Sequence, residues 1–218
     1  MFIVIDWIDW AGKSTQIKLI KENLEKNWKT VKVISYPRYN EESSFMVHKY
    51  LNWDYGRDVW AKQASIFYAI DRFDSSFWLK NDLENYDYII TDRYVSGNMI
   101  HQAGKIQDNK QRDEFLEWLE DLEFNIFNIP RPDKVIFLNI SAKQSMKNTQ
   151  SRWWEDKEYI TWDKKQDIHE DDKNHLINAC LSANFVAKKY NWIKIECEDN
   201  WEMKSIDNIN EEVMEEIL

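Results

Sequence analysis

Phe2-Ile-Val-Ile-Asp-Trp-Ile-Asp-Trp-Ala-Gly-Lys-Ser-Thr15 is the stretch whose reading decides the fold. Phe2 to Ile5 is a short apolar run with the β-branched bias of a fully buried strand. Gly12-Lys13-Ser14-Thr15 closes the stretch, and Gln16 to Lys26 reads as a helix. Strand, loop, Gly-Lys-Ser and helix together are the setting in which a phosphate-binding loop of the form G-x-x-x-x-G-K-[ST] is expected. The backbone N–H groups of Ala11, Gly12, Lys13, Ser14 and Thr15 would wrap a polyphosphate. Lys13 would neutralise its β and γ groups, and Ser14 would ligate Mg²⁺.

One position breaks the pattern. The first glycine should be residue 7, which is Trp7, and Trp10 stands inside the loop. Glycine serves such loops because it reaches φ > 0 and lets backbone approach a ligand without a Cβ. Taken literally, this loop should bind ATP badly.

Composition repeats the anomaly. The 218 residues include 4 glycines, roughly 2% against the usual ~7%, and 12 tryptophans. Asn27-Trp28, Asn52-Trp53 and Asn200-Trp201 stand where Asn-Gly turns are expected. Trp28 falls between a helix and a strand, at a natural C′ glycine position. Trp60 precedes a helix, and Trp153, Trp154 and Trp162 lie in a polar stretch with no apolar periodicity. Only Trp78, Trp118 and Trp192 sit on plausible apolar faces. The hypothesis is that positions 7, 10, 28, 53, 60, 153, 154, 162 and 201 are glycine in the working protein. Some bacterial lineages read the codon UGA as glycine, whereas a commoner variant code reads it as tryptophan. Ordinary UGG codons at these positions would remove the idea.

The remaining composition bounds the class. Length and the absence of a long apolar run indicate a soluble single domain, residues 1–218, with neither signal peptide nor membrane span. Cys180 and Cys197 are too few for a disulfide framework and fit a reducing cytoplasm. A net charge of −10 argues against a general nucleic-acid or anionic-membrane surface. His169 and His175 have no metal-ligand partners at suitable spacing.

Five apolar strand candidates alternate with helical patterns: Phe2–Asp6, Val31–Ser35, Tyr88–Thr91, Lys134–Ile140 and Trp192–Glu196. Helices are expected over about 13–26, 41–51, 59–81, 96–102, 110–127, 141–148, 166–190 and 205–218. The expected fold is α/β, a five-stranded parallel sheet with helices on both faces. Residues 149–165 read as a mobile flap. Ligands in such sheets sit at the carboxyl ends of strands. Asp6, Ser14, Arg38, Asp92 and Arg93 all fall at such ends. Asp92 can hold Mg²⁺ or its waters, and Arg93 can take a phosphate bidentately. Arg72, one turn beyond Tyr68 on a helix, could read a base edge while an aromatic ring stacks. Arg152, on the flap, could stabilise transferring charge.

Jointly these segments resemble the thymidylate kinase family, the P-loop kinases of nucleoside monophosphates. The resemblance rests on Ile5 to Thr15, Tyr36-Pro-Arg38, Phe67-Tyr-Ala-Ile-Asp-Arg72, Thr91-Asp-Arg-Tyr-Val-Ser-Gly97, Pro130-Arg-Pro-Asp133, and a flap ahead of Asp167-Ile-His-Glu170. It implies a P-loop NTPase fold, ATP and Mg²⁺ as cofactors, dTMP as acceptor, and a homodimer, which an apolar face around Phe67 to Phe77 would permit. It further implies that Asp9 contacts the sugar hydroxyl or phosphate region. Arg38 and Arg93 would hold the acceptor phosphate, Arg72 the thymine carbonyl, and Tyr68 the base. Ser96, Gly97 and Gln102 would line the base and sugar pocket. Lys13, Arg93 and Arg152 would be the catalytic cations, and Ser14 and Asp92 the metal ligands. Departures are Trp7 and Trp10, and Asp6 where the family usually has Glu. Two alternatives stand beside this expectation: a kinase of another nucleoside monophosphate, and a non-catalytic P-loop scaffold. A regulatory GTPase is disfavoured because an Asn-Lys-x-Asp segment is missing.

Overall fold

The computed structural model describes residues 1–7, 13–56, 58–145 and 173–218. Asp9, Trp10, Ala11, Gly12, Arg152 and the expected flap, with Trp153, Trp154 and Trp162, lie outside the described residues, as does the side chain of Lys13.

β1 (Phe2–Trp7) is the middle strand of a sheet ordered β2-β3-β1-β4-β5, with β2 (Val31–Ser35), β3 (Tyr88–Asp92), β4 (Lys134–Asn139) and β5 (Ile193–Glu196). Every neighbouring pair is parallel. All six residues of β1 are buried, as a central strand covered on both faces requires. Its alternation divides the core in two. Ile3, Ile5 and Trp7 pack with Ile17, Ile20 and Leu24 of α1 (Lys13–Lys26), and with Ile209, Val213 and Ile217 of the last helix. Phe2 and Val4 pack on the other side with Leu79, Tyr94, Met99, Phe115 and Leu119. These come from α3 (Ala61–Asn85), α4 (Val95–His101), α5 (Asn109–Glu120) and the β3–α4 junction. By the same alternation Asp6 belongs to the α3–α4 face. The expected parallel α/β architecture is therefore the one observed.

Three differences from the sequence reading are instructive. The helix expected over 41–51 is a 3₁₀ turn, Glu42–Ser44, followed by α2 (Phe45–Leu51). The Ser44 hydroxyl donates to the Glu41 carbonyl at 2.9 Å, a local bond that competes with α-helical geometry. The helix expected over 110–127 ends as α5 and continues as a π-helical turn, Asp121–Ile126. A two-stranded antiparallel hairpin, β6 (Glu198–Asp199) with β7 (Glu202–Met203), follows β5 and was not expected. Its strands are too short to show a period.

α6 (Lys173–Lys189) lies against α4 and the 3₁₀ turn Ala103–Lys105, and α7 (Ile206–Ile217) closes the chain against α1. Gly104 makes the α6 contact possible. A Cβ there would come within 3.2 Å of the Asn178 and Ala179 backbone. No described helix is long and apolar enough to cross a membrane.

The tryptophans separate by backbone. Trp28, Trp53 and Trp201 have φ of 60°, 65° and 69°. Trp28 is 94% exposed and Trp201 79%. Trp60 is also exposed, but its φ of −69° suits any residue. Trp7 ends β1 and is sealed in the core. Trp78, Trp118 and Trp192 pack, partly buried, against the core, as the sequence suggested.

Candidate active site

The carboxyl ends of β1, β2 and β3 bring together most of the described candidates. Asp6 closes the α3–α4 face of β1 with no exposed surface, and its Oδ1 accepts the Trp7 N–H at 2.8 Å. Burial drives the carboxyl upward; the Arg93 charge, the Ser96 hydroxyl alongside and the Trp7 N–H pull it back, leaving it at about 6. Arg93 follows β3 directly. Its backbone is left-handed, φ 62°, and its N–H donates to the Ile5 carbonyl at 3.0 Å. That bond extends the β1–β3 pairing one residue past the strand. Strain at a non-glycine residue persists where surrounding structure enforces it, and such residues cluster at functional sites. The Arg93 guanidinium lies 5.4 Å from the centre of the Trp7 ring. Gly97, on the first turn of α4, leaves room beside the Arg93 side chain.

Arg38 follows Pro37 at the end of β2 and is gripped by α3. Its Nε donates to Asp71 Oδ1 at 3.0 Å, and its Nη2 to Ser43 Oγ at 2.8 Å, the Asp71 carbonyl at 2.9 Å and Asp74 Oδ2 at 2.5 Å. Burial opposes its charge, but Asp74 and Asp71 outweigh that and hold it firmly protonated. The Arg38 backbone N–H also donates to Asp71, at 2.8 Å. The sequence reading missed Asp71 and Asp74 as the frame of Arg38. Their signal was present: three charges, Asp71, Arg72 and Asp74, cluster in the apolar middle of the helix, between Ile70 and Phe77.

Arg72 is buried at the other side of the same helix. Its Nε and Nη2 donate to the two carboxylate oxygens of Glu123, at 2.6 and 2.5 Å, and its Nη1 to the Tyr94 carbonyl at 3.1 Å. Glu123 was also missed. It falls on the stripe of α5 that buries Arg112, Leu116 and Leu119, where an apolar residue is expected. Asn98, equally unforeseen, donates to the Ser65 carbonyl at 3.1 Å and ties α4 to α3.

Tyr68 belongs to an aromatic wall, edge-on to Tyr50 at 6.3 Å, with Phe67 and Tyr55 alongside. Lys105 reaches that wall, donating to the Tyr50 hydroxyl at 2.6 Å, and burial pushes its amine down to about 8. Gln102 is buried, and its Oε1 is without a hydrogen-bond partner, an acceptor of the kind a ligand N–H or O–H would satisfy. Ser96 is buried and lies beside Asp6, while Ser14 and Thr15 are exposed at the start of α1. Asp92 ends β3 and is the register partner of Ile5 in the β1–β3 pairing. Among the described residues no three acidic, histidine or cysteine side chains gather to hold a metal by themselves. Ser14 and Asp92 nonetheless fit Mg²⁺, an ion that keeps several waters and takes one or two protein oxygens plus substrate phosphates.

A cavity of about 440 Å³ beneath α4 is lined by Tyr94, Ser96, Phe124, Arg131, Asp133 and Trp192, and reaches the first residues of β4 and β5.

Comparison with known proteins decides the lineage of this arrangement. The family model described as thymidylate kinase matches residues 5–200. The chain belongs to the thymidylate kinase family. It is 26% identical over 156 residues to the thymidylate kinase of Mycobacterium tuberculosis, covering 70% of this chain and 72% of that one. It is 32% identical over 158 residues to a probable thymidylate kinase of Thermococcus onnurineus, again 70% and 72% of the two chains. The thymidylate kinase structure from Candida albicans superposes with a TM-score of 0.74 at 19% identity, over 99% of this chain and 90% of that one, which establishes the shared fold.

The Asp6 carboxyl yields a pH prediction. Its folded value of about 6 lies above the ordinary 3.8, so its contribution to stability is complete below pH 4 and lost as pH rises through 6. Asp6→Asn should therefore be more stable than the parent by about 1–3 kcal/mol at pH 7.5, from roughly 1.4 kcal/mol per unit. The gain should vanish near pH 4. Urea denaturation at the two pH values measures it, and a gain independent of pH would refute the assignment.

Proposed function

We propose that this chain catalyses ATP + dTMP → ADP + dTDP, supplying dTTP synthesis. What supports the reading is Arg93. A cation is held in left-handed backbone by the β1–β3 pairing, beside Asp6 and Asp92, at the strand that leads into Gly12-Lys13-Ser14. The backbone of Ala11 to Thr15 binds the ATP phosphates. Arg93 and Arg38 hold the acceptor phosphate, with Asp71 and Asp74 fixing the direction of the Arg38 guanidinium. Arg72 meets the thymine carbonyl, Tyr68 stacks on the base, and Ser96, Gly97 and Gln102 line the pocket. Asp9 contacts the sugar or phosphate region.

Transfer is in line. Little covalent work falls to the protein, which aligns an acceptor oxygen with the γ-phosphorus and compensates the charge between them. Lys13, Arg93 and Arg152 supply that compensation. Ser14 and Asp92 would hold Mg²⁺, which screens the phosphate oxygens. Closure of the 149–165 flap would keep water from acting as acceptor. Residues 1–218 act as one kinase domain in the cytoplasm, where Cys180 and the buried Cys197 remain thiols.

With tryptophan at 7 and 10 the activity is impaired, because an indole occupies the face of Arg93. Protein carrying glycine at both positions should bind ATP more tightly by titration calorimetry. In that background Arg93→Ala and Arg152→Ala should each lower kcat by about 10²–10³, read as ADP release with dTMP. Unchanged turnover in Arg93→Ala would remove the reading.

The dimer expected from the resemblance has a surface to use. Ile66, Ile70, Phe73 and Phe77 form a stripe on α3 at helical spacing, with Phe77 71% exposed. A second copy of this chain is its occupant in the proposal. Ile70→Asp with Phe77→Asp should shift the sedimentation of the protein from dimer to monomer; a parent already monomeric would refute the interface.

A further inference from the structure

We infer that Glu123 is a positioning residue that decides which edge of Arg72 faces the nucleobase; the inference rests on the dTMP reading above. Arg72 and Glu123 are 2% and 0% exposed. A buried ion pair adds little net stability over a well-packed apolar pair, because both charges lose their water. On a stripe that buries Leu116 and Leu119 beside Arg112, the pair needs a reason other than stability. The geometry supplies one. Guanidinium is planar and carries five N–H donors in a fixed fork. Glu123 takes the side edge through Nε and Nη2, and the Tyr94 carbonyl takes one N–H of Nη1. What remains is one N–H on Nη1 and one on Nη2.

These N–H groups donate to oxygen or nitrogen lone pairs and repel an amino group. They therefore select a pyrimidine presenting a carbonyl at the ring position where cytosine presents NH₂. The Asn98 amide donates to Glu123 Oε1 at 3.5 Å and helps hold that carboxylate in place. The π-helical turn Asp121–Ile126 is the local device that delivers Glu123, in keeping with the occurrence of π turns at functional sites.

The test is dTMP and dCMP binding by calorimetry, with thermal melting as the control for folding. Parent protein should prefer dTMP. Glu123→Gln removes the charge and one strong acceptor, and should weaken dTMP binding at least tenfold while narrowing the dTMP/dCMP ratio. Glu123→Asp should recover part of the ratio. A purely structural role would lower the melting temperature and leave the ratio of the folded protein unchanged, which would overturn the inference while the dTMP reading stands. A parent that binds dTMP no better than dCMP would overturn both.

A second observation stands independently. The structure assigns glycine to positions 28, 53 and 201 of the working protein. Among the described non-glycine residues, positive φ occurs at Trp28, Trp53, Arg93, Asn128, Asn191, Asn200 and Trp201. Asparagine tolerates this region, and Arg93 lies in the candidate site. Tryptophan has no such excuse: it gains no burial at 28 or 201 to offset the strain. Trp78, Trp118 and Trp192 are absent from that set and pack on the core. Gene sequence tests this directly. UGA at 28, 53 and 201 with UGG at 78, 118 and 192 supports it; a single codon shared by both sets overturns it. In protein, Trp28→Gly, Trp53→Gly and Trp201→Gly combined should raise the melting temperature, whereas Trp192→Gly should lower it. A lower melting temperature in the triple variant would likewise overturn the assignment.

Discussion

The pairing of β1 with β3 governs the rest of the molecule. β1 is buried along its whole length, so its faces must be apolar except where chemistry needs otherwise. Asp6 is that exception. Carried one residue past the strand, the same pairing bonds the Arg93 N–H to the Ile5 carbonyl and turns Arg93 into left-handed backbone. A carboxylate and a guanidinium thus meet at the edge of the sheet because the two central strands end in register. The penalty for burying Asp6 shows in its raised proton affinity, and Arg93 returns part of it.

Charge is handled in the same manner elsewhere. Arg38 is bound by Asp71, Asp74 and Ser43, and Arg72 by Glu123 and the Tyr94 carbonyl. Each arginine is immobilised by acids from α3 or from the turn after α5, so each presents a restricted set of donors. Preorganised donors lose less entropy when a ligand arrives than free side chains do. In a chain of net charge −10, Arg38 and Arg93 at the strand ends supply local positive charge that a polyanion would need.

Most of the scaffold was legible in the sequence. Continuous apolar runs such as Phe2–Ile5 and Tyr88–Thr91 announce buried parallel strands, and Gly12-Lys13-Ser14 marks the loop that follows the first. Asp92, Arg93 and Arg38 stood out because they stand at strand ends, and Arg72 because it lies one helical turn beyond Tyr68. The frame around them did not. Glu123 and Asp71 are ordinary acids until the fold buries them, and Asn98 has no local pattern at all. The π turn was hidden because its six residues, Asp121–Ile126, are too few for a period to stand apart from that of the helix they continue. The tryptophans ran the other way. Their contexts at 28, 53 and 201 suggested glycine from neighbouring residues alone, and the backbone adopts the angles glycine prefers; at 60 it does not, and at 7 the ring is simply entombed.

Gly104 has a mechanical consequence. With no side chain of its own, it lets its turn rest on the main chain of α6 at Asn178 and Ala179, and the Ser182 hydroxyl bonds the Met99 carbonyl at 3.2 Å nearby. α6 and the end of α4 are therefore keyed together like a tenon in its slot. A displacement of α6 would therefore be felt at Gln102, which stands directly before the turn that Gly104 belongs to.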